Sequence, residues 1–100
     1  MYHGLVIASF ADEATEDLYN GVNTKAARNV DNQVWPVVAR KLDMLNAATS
    51  PNDLKGPGNQ LEKLKKALGG YWSIRVNDQY RIVFRFEKGN ALEVRCRDIH

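Results

Sequence analysis

The sequence has one cysteine, Cys96, and two histidines, His3 and His100. A lone cysteine forms no internal disulfide, and with two distant histidines it makes no zinc-ligand pattern. No apolar run approaches the ~18 residues that a membrane span requires. The first residues lack a basic segment and meet acids at Asp12 and Glu13, so they do not read as a signal peptide. These absences point to a cytoplasmic chain with no membrane partner. Repeats and low-complexity stretches are missing too. Hydrophobic residues make up 44% of 100 residues, which excludes compositional disorder and supports one modest core. Residues 1–100 therefore read as a single domain.

Charge is present but unevenly placed. Residues 1–54 carry four Lys/Arg against seven Asp/Glu, and residues 55–100 carry ten against five. The net charge of +2 is thus an acidic half joined to a basic half. A basic half suits an anion-binding face, although an ordinary solvated surface gives the same count.

The periodicity predicts β-α-α followed by a β-meander. Residues 5–10 form a short apolar run that suits a first strand. Asp12 suits an N-cap for a helix running through Ala14, Leu18 and Tyr19 and ending near Gly21. Val30, Val34, Val38, Leu42 and Leu45 recur at helical steps, which predicts a second helix over 33–47. Pro36 is acceptable there only near the first turn. Pro and Gly mark a loop through 50–59, followed by a short extended piece at 60–64. Trp72, Ile74 and Val76, then Ile82, Phe84 and Phe86, then Leu92, Val94 and Cys96 alternate with polar or charged residues. This is the pattern of an antiparallel sheet with one buried face. The helices must cover that face, because both need an apolar partner.

The opposite face collects Arg75, Arg81, Arg85, Arg95 and Arg97. Guanidinium groups make bidentate bonds to phosphate, and Tyr71 and Tyr80 are placed to stack on bases. The competing reading is structural: the arginines pair with Glu87 and Glu93, and the aromatics pack. Cleaving RNA would also need a base, a cation and an acid. His3 reads as structural or exposed. Glu62 is the acid beside a lysine-rich segment, Lys63, Lys65 and Lys66.

The segments Pro57–Leu64 and Tyr71–Phe84, with its run Ser73-Ile74-Arg75-Val76-Asn77-Asp78-Gln79-Tyr80-Arg81, strongly resemble HigB-type toxins of the RelE superfamily. Ser9–Asp12, Thr15–Leu18, Arg40–Leu45 and Ala47–Thr49 resemble the same family, so the likeness covers nearly the whole chain. The resemblance implies an α+β fold, two N-terminal helices packed on a curved, mainly antiparallel sheet. It implies a type II toxin that cleaves mRNA in the ribosomal A site without metal or cofactor. The implied partners are the 70S ribosome, mRNA and a helix-turn-helix (HigA-like) antitoxin, which would link the toxin indirectly to operator DNA.

Residue by residue, Arg81 falls at the arginine that contacts the scissile phosphate in relatives. Lys65 falls at a lysine placed near the same phosphate. Glu62 falls where some relatives have histidine and YoeB-like toxins have the glutamate assigned as general base. His100 would protonate the leaving 5′-oxygen, and Asp98 nearby would favour its charged form. Arg75, Asp98 and Tyr80 are candidates for substrate binding. The family's terminal motif is usually Asp-Tyr-His, whereas this chain has Asp98-Ile99-His100. Strict alternation would put His100 on the core side, so its role requires the last strand to bend, bulge or end before it. Two rivals share the fold. One is a relative that binds RNA or ribosomes but has lost catalysis. The other is a ParE-like toxin that inhibits gyrase by protein binding.

Overall fold

The computed structural model describes residues 6–65 and 69–99. Helix α1 spans Glu13–Asn20. Its start is set by Asp12, whose carboxylate accepts the Thr15 N–H at 2.9 Å. Gly21 ends it in the left-handed region at φ 73°, where a side chain would be strained. Helix α2 spans Trp35–Ala47, preceded by a 3₁₀ turn over Asn32–Val34 that Asp31 caps. Pro36 is the second residue of α2, so its missing N–H is one that a helix start leaves unpaired anyway.

Four strands follow: β1 at Glu62–Lys63, β2 at Tyr71–Arg75, β3 at Tyr80–Glu87 and β4 at Asn90–Asp98. They form one antiparallel sheet in the order β1-β2-β3-β4. Asn77 shapes the β2–β3 turn by accepting the Gln79 and Tyr80 N–H groups. Lys88 and Gly89 join β3 to β4 with φ of 52° and 81°, the positive pair that a tight hairpin turn demands. The predicted first strand is reduced. Within residues 6–11, Ile7 and Phe10 make isolated parallel bridges to Ala91 and Val94.

The reason lies in β4. Between Val83 and Arg85 the facing strand runs from Arg95 to Leu92, one residue more than β3 supplies. Glu93 absorbs the excess as a bulge at φ 53°. The bulge also reverses the facing of Leu92, which the alternation places in the core. Leu92 instead lies opposite Arg85 and is half-exposed, and Ala91 takes the buried position.

The core fills the space between the helices and one sheet face. Leu18 of α1 and Val38, Leu42 and Leu45 of α2 join Ile74, Ile82, Phe84 and Val94. Complete burial of each large side chain contributes about 1.5–3 kcal/mol relative to exposure. Thr15 also ties α1 to β4, its hydroxyl accepting the Cys96 N–H at 2.8 Å. One charge enters this region: Lys41 of α2 is buried and bonded to the side chain of Asn59. No described helix is long and apolar enough to cross a membrane.

Candidate active site

The helices leave the other sheet face open, and its register lines up three arginines. Arg75 on β2 pairs with Arg81 on β3, and Arg81 pairs with Arg97 on β4. Directly opposed residues hold their Cβ atoms about 5 Å apart, and like charges so placed destabilise a sheet. Neutralisation is partial. Arg75 reaches Asp78 at 2.6 Å, on an exposed turn where the pair is worth little. Arg97 has no ion pair among the described residues and is exposed. A row of cations kept against its own repulsion is suited to receive an anion.

Arg81 is the fixed member of the row. Its Nε donates to Ser73 Oγ at 2.8 Å, and Nη2 donates to the Gln60 carbonyl at 2.5 Å. Its side chain is only 14% exposed, so these bonds hold it in one pose. Nη1 has no partner among the described residues, which leaves that edge of the fork for a ligand. Glu62 faces the same side, opposite Ser73, and its carboxylate lies 3.9 Å from Arg81 Nη2. It is 63% exposed, so an external hydroxyl can reach it. A carboxylate that can take a proton and a guanidinium that can hold an anion thus meet at one point. Ser73 and Gln60 complete this geometry. Ser73 carries a weak sequence signal, as a small polar residue in step with Arg75. Gln60 acts through its backbone carbonyl and carries none.

The remaining sequence candidates are dispersed. Lys65 is exposed just beyond β1. Asp98 ends β4, where it accepts Gln79 Nε2 at 3.0 Å. Ile99 donates its N–H to the Gln79 carbonyl at 2.8 Å, fastening this segment to the β2–β3 turn. His3 and His100 lie outside the described residues, as does Lys66. Tyr80 requires a correction. Its ring is 5% exposed within the core, and its hydroxyl accepts the Asp31 N–H at 3.2 Å. A ring on that face cannot stack on bases.

Arg85 follows the structural alternative. It pairs with Glu87, and with Glu93 at 2.6 Å. These carboxylates raise its already high pKa, Glu87 most. Glu93 also accepts the Tyr71 hydroxyl at 2.6 Å. That bond, then Arg85, lowers the Glu93 pKa, and the same bond raises that of Tyr71. The bulge therefore closes off one end of the arginine face with its own polar cluster. Among the described residues, no group of three or more His, Cys, Asp or Glu is placed to hold a metal ion.

Comparison with known proteins extends this picture. The family model of the RelE-like toxin of type II toxin–antitoxin system HigB matches residues 8–100. Toxin HigB-1 of Vibrio cholerae is 39% identical over 84 residues, covering 83% of this chain and 86% of that protein. Endoribonuclease HigB of Proteus vulgaris is 35% identical over 60 residues, covering 60% of this chain and 65% of that protein. Among solved structures, the YoeB-YefM complex from Staphylococcus aureus aligns with a TM-score of 0.60 at 18% identity. The alignment covers 94% of this chain and 97% of that one. The YoeB/ParE toxin from Agrobacterium tumefaciens aligns at 0.57 and 22% identity, covering 92% and 98%. These two likenesses establish a shared α+β fold, and the sequence matches establish descent: the chain belongs to the HigB family of RelE-like toxins of type II toxin–antitoxin systems.

Proposed function

We propose that this toxin is an endoribonuclease that cleaves mRNA in the ribosomal A site by metal-independent acid–base chemistry. The observation that carries the reading is the Glu62 carboxylate 3.9 Å from an Arg81 guanidinium locked by Ser73 and Gln60. Glu62 takes the proton of the 2′-OH, and the 2′-oxygen attacks the adjacent phosphorus. Arg81 stabilises the charge that grows on the phosphoryl oxygens, with Lys65 as a second cation. The bond from phosphorus to the 5′-oxygen breaks, and His100 gives that oxygen a proton. The products are a 2′,3′-cyclic phosphate and a 5′-hydroxyl. Arg75 binds flanking RNA, and Asp98 serves the substrate side of the same face. The name of the Proteus vulgaris relative supports ribonuclease activity.

The toxin acts in the cytoplasm and is restrained by a helix-turn-helix antitoxin, through which it is linked to operator DNA. Family membership supports the antitoxin, as does the toxin–antitoxin complex among its structural neighbours.

The test is cleavage of a defined mRNA on programmed ribosomes by the wild type, Glu62→Gln and Arg81→Ala. Cuts inside the A-site codon, slowed about 10²–10⁴-fold by Glu62→Gln, are expected. Ribosome binding without cutting by the wild type would turn the reading to a catalytically impaired relative. Gyrase inhibition without cutting would turn it to a ParE-like toxin.

A further inference from the structure

A buried lysine in an otherwise apolar helix face calls for an explanation. Lys41 is 6% exposed, among Val38, Leu42 and Leu45 on α2. Taking an ammonium out of water is costly, and an apolar residue of similar size would serve packing at least as well. Burial, then the charges of Arg40 and Arg75, lowers its pKa, so the site does not favour the charge for its own sake. What the ammonium does is bond the Asn59 side-chain oxygen, with the Gly58 carbonyl at 3.5 Å.

Asn59 is itself 2% exposed and bonded on every side. Its Nδ2 donates to the Leu54 carbonyl at 3.1 Å and approaches Met44 Sδ at 3.0 Å. Its own carbonyl accepts the Arg75 N–H at 2.6 Å. The residue that follows is Gln60, held at a positive φ of 44°. This backbone setting delivers the Gln60 carbonyl to Arg81 Nη2. A chain of direct bonds thus runs from α2 through Asn59 and one peptide to the guanidinium.

We propose that Lys41 and Asn59 are a buried positioning pair: they fix Asn59 and the peptide that follows it, so that the next carbonyl, that of Gln60, aims the Arg81 guanidinium at the scissile phosphate. The inference rests on Arg81 acting as proposed above. Neither residue touches RNA; both act through Arg81. Loss of the pair lets the peptide turn, and Arg81 then swings between poses. Misplacement by about 1 Å costs a rate factor near 10².

Single-turnover cleavage on programmed ribosomes tests this, with the saturating rate separated from the half-saturating ribosome concentration. Lys41→Met should lower the saturating rate about 10–100-fold and leave half-saturation nearly unchanged. Placed on Arg81→Ala, it should have almost no further effect, because residues acting through one group are not additive. Leu42→Val loosens the same helix without touching the relay and should keep the wild-type rate once folded. Asn59→Ser should reproduce the Lys41→Met result and replaces it if that variant does not fold. A folded Lys41→Met with the wild-type rate overturns the proposal. So does a change confined to half-saturation, or a full additional loss on Arg81→Ala. If Arg81→Ala itself cuts at the wild-type rate, the role of Arg81 fails and the positioning role falls with it.

Discussion

At the scale of single residues, register rather than composition separates functional arginines from structural ones. Arg85 and Arg81 are four positions apart on β3 and face the same side, yet Arg85 is paired with Glu87 and Glu93. Arg81 has its nearest carboxylate 3.9 Å away and bonds Ser73 and Gln60 through Nε and Nη2, which leaves Nη1 without a partner among the described residues. Tyr80 shows the opposite case, a residue beside the site whose side chain belongs to the core. Tyr80→Phe removes the acceptor for the Asp31 N–H. It should cost about 0.5–1.5 kcal/mol in denaturant unfolding. Cleavage per folded molecule should stay unchanged; a large drop in cleavage by a stable Tyr80→Phe would return the hydroxyl to the site. Tyr80 is in step with Ile82 and Phe84, so alternation assigns it to the core; only its nearness to Arg81 in sequence suggests a stacking ring.

At the scale of elements, the helices follow their local signals and the strands follow their partners. Asp12 and Gly21 stand at the two ends of α1 and make the bonds that such residues make. Asp12→Ala should therefore destabilise the protein by about 0.5–2 kcal/mol, measured by urea titration. An unchanged midpoint would mean that Thr15 and Leu18 hold the helix start without the cap. Pro36 fits because the regular helix begins at Trp35, which places the proline in the first turn. By contrast, the bulge at Glu93 left no mark in the alternation. Leu92 reads as a core residue until the β3 pairing is known. The same bulge confines the N-terminal segment to two bridges with β4, so the strand expected over 5–10 is largely not formed, and Leu5 lies outside the described residues.

At the scale of the whole molecule, the two sheet faces have opposite electrostatic demands. One excludes water and the other gathers charge. Cys96 records the first. Burial, with the charges of Asp12 and Asp98, pushes its thiol up to about 12 from an ordinary 9.0. Above about pH 9 the unfolded chain loses this proton while the folded one keeps it. The unfolded state then binds fewer protons, so stability is full below pH 9 and falls as pH rises toward 12. The thiol contributes at most about 1.4 kcal/mol per pH unit. Unfolding titrations at about pH 8.5 and 10.5 should show a smaller drop for Cys96→Ala than for the wild type. Equal drops would place the thiol in contact with water. The native thiol should likewise resist alkylation at neutral pH and react only through unfolding.

By itself the sequence determined the class of the fold, the positions of α1 and α2, and the strands of the meander. Each of these rests on local periodicity and end signals, which neighbouring residues supply. It also determined that arginines share a face and that the chain resembles the HigB toxins. The tertiary structure decided which arginines are free, because pairing depends on strand register and on the extra residue at Glu93. It decided that Glu62 meets Arg81 and that Lys41 is buried against Asn59. Those are meetings of residues 12 or more positions apart. No local pattern encodes them, because the distances between such residues are set by packing rather than by the chain that joins them.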